Sequence, residues 1–329
     1  MNWTENLNEL CNHNKPPLII LTGPTAVGKT ALSLKLAKAV NGEIISADSM
    51  QVYKGMDIGT AKIREDERKG IPHHLIDILD PEQNFDVFSF QRLAKSAVTD
   101  ILGRGHVPIL TGGTGFYIQA VIRDVDFEDS LGQTSVRSEL EEAVRQGRSR
   151  ELWDELQEAD PESAAIIHPN NSKRLIRALE FFRETGKPIS EHNKEQQQKG
   201  SPFRFYYFVL NQDRAELYSR INRRVDKMME QGLEKEAEVL IKKRHLAPDL
   251  TSMKAIGYRE WFDYFAGRSD LDRTVEQIKE DTRHFAKRQL TWFRREKDVI
   301  WISKEDFDFD EDRILTFMLD VMREGGPLL

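Results

Sequence analysis

Cysteine is all but missing from this chain: Cys11 is the only one in 329 residues. A single cysteine excludes an internal disulfide and a cysteine-based metal cage, and fits a reducing cytoplasm. Long apolar runs are missing as well. No stretch approaches the roughly 20 apolar residues of a membrane helix, so no membrane partner is expected. The first 17 residues contain neither the basic nor the apolar region of an export signal. Positive charge is in deficit, with 48 Lys and Arg against 55 Asp and Glu for a net charge of −7. Taken alone, that balance argues against a nucleic-acid binder. What remains is 39% apolar and 31% charged, the composition of a soluble protein with a sizeable core. The length suits two domains, or one domain with a large insertion.

Short apolar runs alternate with amphipathic segments over the first hundred residues. Leu18–Leu21 reads as a buried strand, Thr30–Val40 as a helix with Leu32, Leu36 and Val40 at spacing four, and Glu43–Ser46 as a second strand. Val87–Leu102 reads as a helix and Val107–Leu110 as another strand. This alternation predicts an α/β fold with a parallel sheet, here residues 1–125. Residues 126–199 change character. Two helices are expected, Glu139–Glu158 and Lys173–Glu184, with Gln196–Gly200 as an exposed connector, so this stretch reads as a helical insertion. Residues 200–329 resume the core with strands Phe203–Leu210 and Val299–Ile302. Helices Asp213–Lys243, broken at Gly232, and Asp272–Lys297 fill the rest.

Gly23-Pro24-Thr25-Ala26-Val27-Gly28-Lys29-Thr30 matches G-x-x-x-x-G-K-[ST] between a strand and a helix. The glycines let backbone N–H groups turn inward around phosphate oxygens, Lys29 adds a point charge, and the Thr30 hydroxyl can ligate Mg²⁺. The plain alternative is a glycine-rich turn. By motif the loop is nucleotide- or ATP-binding, but the apolar strand ending in Asp that a hydrolase would add is not at Val107–Leu110, which runs into Thr111–Gly115. The strand that does end in an acid is the one leading to Asp48, open to three roles: Mg²⁺ ligand, general base, or N-cap. Ligands of open parallel sheets sit beyond the carboxyl ends of the strands, where the loop, Asp48 and Thr114 converge.

Charge is segregated despite the acidic total. Arg283, Lys287, Arg288, Arg294, Arg295 and Lys297 alternate with Phe285, Trp292 and Phe293, while Arg220, Arg223 and Arg224 form a second patch and Lys173, Arg174 and Arg177 a third. Solvated helix faces and core aromatics are the plain reading; a phosphate-rich macromolecule is the sharper one. Arg220 could equally turn inward to a diphosphate. His73 and His74 lack further ligands at metal spacing and read as structural.

Taken together, GPTAVGKT (23–30), ISADSMQVYKGMDIGTAK (45–62), IPHHLID (71–77), GGTGFY (112–117), KRLIRALE (173–180), AIGYRE (255–260) and TRHFAKRQLTWFR (282–294) closely resemble the bacterial tRNA dimethylallyltransferase family over most of the chain. The resemblance implies a P-loop NTPase-like core with a helical insertion. It also implies transfer of a dimethylallyl group from dimethylallyl diphosphate to N6 of the adenosine 3′ of the tRNA anticodon. On that basis residues 23–30 hold the diphosphate with Mg²⁺ at Thr30, and Lys29, Thr30 and Arg220 stabilise its departure. Asp48 is the general base, and Gln51 and Thr114 lie at a target adenine flipped from its stack. The family further implies tRNA contact by Asp48, Ser49, Met50 and Gln51, by Lys173, Arg174, Leu175, Ile176 and Arg177, and by Arg137. A monomer is expected. The rival class is a P-loop small-molecule kinase; a third reading is an RNA-binding protein without catalysis.

Overall fold

The computed structural model describes residues 15–125, 135–198 and 200–324; Cys11 and Lys199 lie outside them. Strand β1 (Pro17–Thr22) is buried at all six positions and alternates between two apolar clusters, Leu18 and Ile20 in one, Ile19 and Leu21 in the other. A strand covered on both faces needs apolar residues throughout, which is why its sequence shows no polar alternation. Helix α1 (Lys29–Val40) follows, ending where Asn41 adopts a left-handed φ of 52°. Next come β2 (Gly42–Ala47), a two-residue β3 (His73–His74), α2 (Val87–Gly103), β4 (Val107–Gly112) and α3 (Gly115–Ile122).

The second unit, residues 123–201, is all helical where described: α4 (Ser135–Arg145), α5 (Ser149–Ala159), α6 (Pro161–Ile166), α7 (Ser172–Thr185) and α8 (Ile189–Gln198). Its own core gathers Leu140, Leu152, Leu156, Leu175 and Leu179. Two expectations change here. The helix expected over Glu139–Glu158 is two helices, because Gly147 takes φ 79° and closes the first one through its N–H to Val144 O at 3.0 Å. The expected connector from Gln196 is helical through Gln198, and Gln196 is buried, in keeping with the fair helix propensity of glutamine.

The chain then returns to the first unit, residues 1–122 and 202–329, with β5 (Arg204–Asn211), α9 (Arg214–Glu230), α10 (Leu233–Glu238), α11 (Trp261–Phe265), α12 (Leu271–Phe293), β6 (Ile300–Ser303) and α13 (Glu311–Arg323). The expected break between α9 and α10 is at Gly232, whose φ of 99° suits glycine. Six parallel strands stand in the order β3-β2-β4-β1-β5-β6. The fold is α/β. Its central pairs β1–β4 and β1–β5 carry the loops after β1 and β4 to one edge, which is what builds the site. Helix α13 was not anticipated, although Ile314, Met318 and Met322, at spacing four, are its buried stripe. His74 Nε2 lies 2.7 Å from Glu43 Oε2 and His73 Nδ1 2.8 Å from Ile71 O, so both histidines are tied into the edge of the sheet. No helix among the described residues is long and apolar enough to cross a membrane.

Candidate active site

Beyond Thr22 the backbone turns through Gly23 (φ 145°), Ala26 (φ 64°) and Gly28 (φ 108°) before α1 begins. Position 23 admits nothing but glycine, since a Cβ there would sit 2.3 Å from Leu210 O. No side chain caps α1 and no acid occupies its first turn, which leaves its N–H groups and positive dipole end to an anion. Lys29 Nζ bends back to Gly23 O (2.9 Å) and Pro24 O (2.8 Å), closing the loop around an open centre.

Helix α9 brings two arginines, one turn apart, against this loop. Arg220 Nε donates to Ala26 O at 2.9 Å, and Arg224 Nη1 lies 3.4 Å from Thr25 Oγ1. Arg223 is turned to Glu216 at 3.0 Å. Lys304, which follows β6, is 4% exposed and makes, among the described residues, one long side-chain hydrogen bond, to Val27 O at 3.3 Å, with its Nζ 3.2 Å from where a Cβ on Gly28 would be. These cations are crowded. Burial, the Arg224 charge and, in opposition, Asp48 leave Lys29 with a pKa of about 7. Burial lowers that of Arg224 and, together with Arg220, that of Lys304. Asp48 opposes the shifts of Lys29 and Arg224, and Glu305 and Glu311 that of Lys304, yet desolvated positive charge still prevails, the signature of a site for a polyanion.

The end of β2 supplies Asp48. Its Oδ1 accepts the N–H of Met50 at 2.9 Å and, more distantly, that of Gln51 at 3.4 Å, so the capping role is real. Oδ2 accepts no hydrogen bond among the described residues and is left for chemistry. Gln51 donates through Nε2 to Thr60 O at 3.2 Å and accepts from Ser46 Oγ at 3.3 Å. The end of β4 is pressed onto β2, with Thr114 N donating to Ala47 O at 3.2 Å. Gln289 of α12 links the two loops: Oε1 accepts the Thr25 N–H and Nε2 donates to Gly113 O, each at 2.9 Å.

Two cavities meet here. The larger, about 600 Å³, is bounded by Thr25, Ala26, Gly28, Lys29, Thr30, Arg220, Arg224 and Lys227. The smaller, about 280 Å³, is bounded by Ser49, Met50, Thr114 and the apolar Val225, Met228, Ile256 and Ile278. Asp48, Arg224, Phe285 and Gln289 border both. Oxygen donors suited to a hard cation are the exposed Thr30 hydroxyl and Asp48 Oδ2, with Thr111 Oγ1 buried and unpartnered nearby. Among the described residues no three His, Cys, Asp or Glu are grouped so as to hold a metal ion, so Mg²⁺ fits only as an ion bound chiefly by phosphate oxygens and water.

Of the expected phosphate loop, Thr25, Ala26, Gly28, Lys29 and Thr30 line this site, as do Asp48, Ser49, Met50, Gln51, Thr114 and Arg220, while Gly23, Pro24 and Val27 are buried in the turn behind it. Gln289, Lys304 and the inward reach of Arg224 were not foreseen. A lysine directly after a strand, at the ligand edge of the sheet, was the overlooked signal for Lys304. In the insertion, Lys173 and Arg174 are exposed where α7 begins, but Leu175 and Ile176 are core residues, 0% and 6% exposed, whose side chains are out of a ligand's reach. Arg137 and Arg177 share the carboxylate of Glu180, at 3.2 and 3.5 Å. On α12, Phe293 is core, Arg283 is held by Asn222 and Glu276, and Lys287 and Arg288 are exposed, as are Arg294 and Arg295 just past its end.

The IPP transferase family profile matches residues 51–296. A protein of Lachnoclostridium phytofermentans named tRNA dimethylallyltransferase is 53% identical over 308 residues, 94% of this chain and 98% of its own. The Bacillus subtilis protein of that name is 49% identical over 292 residues, 89% and 92% of the two chains. Among solved structures, the tRNA isopentenylpyrophosphate transferase of Bacillus halodurans superposes with TM-score 0.70 at 45% identity, covering 94% of this chain and 97% of its own. A eukaryotic dimethylallyltransferase captured acting on tRNA gives TM-score 0.82 at 29% identity, covering 95% and 80%.

Proposed function

The chain belongs to the IPP transferase family, and from that premise we propose that it moves the dimethylallyl group of dimethylallyl diphosphate onto N6 of the adenosine 3′-adjacent to the anticodon (adenosine-37) of tRNA. The observation that carries this reading is that Asp48 borders both cavities, one cationic and loop-bound, the other lined by apolar side chains and Thr114. A diphosphate in the first and a flipped adenine reaching from the second would meet at that carboxylate.

The N6 lone pair attacks the allylic C1, and the C1–O bond breaks with its electrons leaving on the diphosphate. The N6 proton passes to Asp48 Oδ2, giving N6-isopentenyladenosine. The loop N–H groups, Lys29, Arg220 and Arg224 stabilise the charge that gathers on the departing oxygens. Gln51 and Thr114 orient the adenine. Mg²⁺, held by Thr30 and the diphosphate, would add Lewis-acid neutralisation of that same charge. Lys173 and Arg174 serve as phosphate contacts for the RNA.

The test combines the protein, Mg²⁺, dimethylallyl diphosphate and unmodified tRNA, followed by digestion and nucleoside mass spectrometry. A dimethylallyl mass gain on adenosine supports the reading, and unchanged adenosine overturns it.

A further inference from the structure

Glu236, on α10, is committed to a neighbouring loop. Its Oε2 accepts the N–H groups of Asp57 (3.0 Å) and Ile58 (2.9 Å), and its Oε1 accepts that of Gly59 (3.0 Å). The Tyr258 hydroxyl donates to the same Oε1 at 2.7 Å. Three consecutive backbone N–H groups thus converge on one carboxylate, the nest geometry that binds anions. Because each bond is charge-assisted, the grip is stronger than a neutral side chain could provide. Gly59 is pressed so closely to Tyr258 that a Cβ would lie 2.5 Å from its ring.

The loop is held from its other end by an opposite charge. Lys62 Nζ, buried, donates to Tyr53 O and Asp57 Oδ1 at 2.7 Å and to Asp77 Oδ1 at 2.5 Å. Thr60 sits between these two anchors. Its carbonyl accepts from Gln51 Nε2, while the N–H of Gln51 faces Asp48 Oδ1. Gly59 and Thr60 also line the smaller cavity beside Asp48 and Thr114. A hydrogen-bonded path therefore runs from Glu236 through residues 57–60 to Gln51 and Asp48, and among the described residues no part of it bonds to the phosphate loop.

We propose that Glu236 is a positioning residue for the RNA acceptor: by gathering the N–H groups of residues 57–59 it sets the wall, Gly59 and Thr60, against which the target nucleobase rests beside Asp48, with Gln51 bracing that wall from the larger cavity through its bond to Thr60 O. The proposal rests on the prenyl-transfer reading. It assigns Glu236 to the acceptor half of the reaction.

Glu236→Gln keeps the shape but removes the charge and replaces one acceptor oxygen with an NH₂ that faces N–H donors. Tyr258→Phe removes a single donor and leaves three. Both variants and the wild type are assayed with tRNA and dimethylallyl diphosphate varied separately, alongside thermal melting. We expect Glu236→Gln to lower kcat/KM for tRNA at least tenfold, with KM for dimethylallyl diphosphate within twofold of wild type. Tyr258→Phe should move the same ratio in the same direction by less. Unchanged tRNA kinetics overturn the proposal, as does an equal loss on both substrates with a parallel fall in Tm, which a general structural role would produce. If Glu236→Gln fails to fold, Tyr258→Phe decides, and tRNA kinetics at the wild-type value then overturn it. Failure of the functional reading looks different, because the wild type itself would form no product, and the proposal falls with it.

Discussion

Gln289 holds Thr25 by the backbone: its Oε1 accepts the Thr25 N–H at 2.9 Å, fastening a helix 264 residues away in sequence to the phosphate loop. The same amide donates to Gly113 O, so one buried side chain sets the spacing between the loops after β1 and β4. Replacing it with methionine keeps the volume but strands a donor and an acceptor, at about 1–3 kcal/mol for each group that water cannot reach. We expect Gln289→Met to melt several degrees lower and to show a raised KM for dimethylallyl diphosphate. A melting curve and donor kinetics matching the wild type would refute that role.

Asp48 is expected to separate binding from chemistry. Asp48→Asn retains an oxygen that can accept the Met50 N–H, so the turn survives while the base is lost. Removing a general base costs about 10²–10⁴-fold in rate. The expected outcome is near-normal tRNA affinity in a filter or mobility-shift assay with kcat down by that order. Equal transfer rates for mutant and wild type would remove Asp48 from the role of base.

Lys29 makes donor binding pH-dependent. With its pKa lowered from 10.5 to about 7, the folded protein lacks a proton that the unfolded chain carries between those values. The sign is therefore destabilising: the penalty appears as pH falls below 10.5, grows toward pH 7, and is constant below it. A bound diphosphate raises the pKa again and restores the proton. Calorimetry of inorganic diphosphate binding at pH 8, in buffers of different ionisation enthalpy, should show net proton uptake, and Lys29→Met should abolish it. Above pH 7 the diphosphate affinity of the wild type should decline. Zero uptake by the wild type would contradict the assignment.

Lys304 is a buried cation behind the loop with one long hydrogen bond, an expensive group to keep in the absence of an anion. Lys304→Met should leave the ligand-free Tm equal to or above that of the wild type. It should weaken diphosphate binding by about tenfold, roughly 1.4 kcal/mol, so that saturating diphosphate raises Tm by less. A lower ligand-free Tm with an undiminished ligand shift would show that the lysine serves only the fold.

Which parts of the site could be read in advance follows from the range of the interactions. The phosphate loop, the strands Leu18–Leu21 and Val107–Leu110, and the turn at Asp48 are built from neighbours in sequence, so contiguous residue patterns carry them. The same locality identified the Gly232 break. It failed for the Glu139–Glu158 stretch, where a lone Gly147 outweighed good helix formers on both sides. Burial defeats motif reading in a different way: within KRLIRALE the motif treats all positions alike, yet Leu175 and Ile176 turn into the helical core while Lys173 and Arg174 do not.

Sequence alone determined the chemistry available: an anion-binding loop, an acid at a strand end, and basic helices in a chain whose net charge of −7 concealed them. Tertiary structure decided which of those groups act together. Arg283 is tied to Asn222 and Glu276, and Arg137 and Arg177 share Glu180, whereas Arg220, Arg224 and Lys304 converge on one loop. Lys304 reaches that loop across 277 residues and Arg220 across 194. No periodicity encodes such meetings, because the parallel sheet, by carrying the ends of distant strands to one edge, is what creates them.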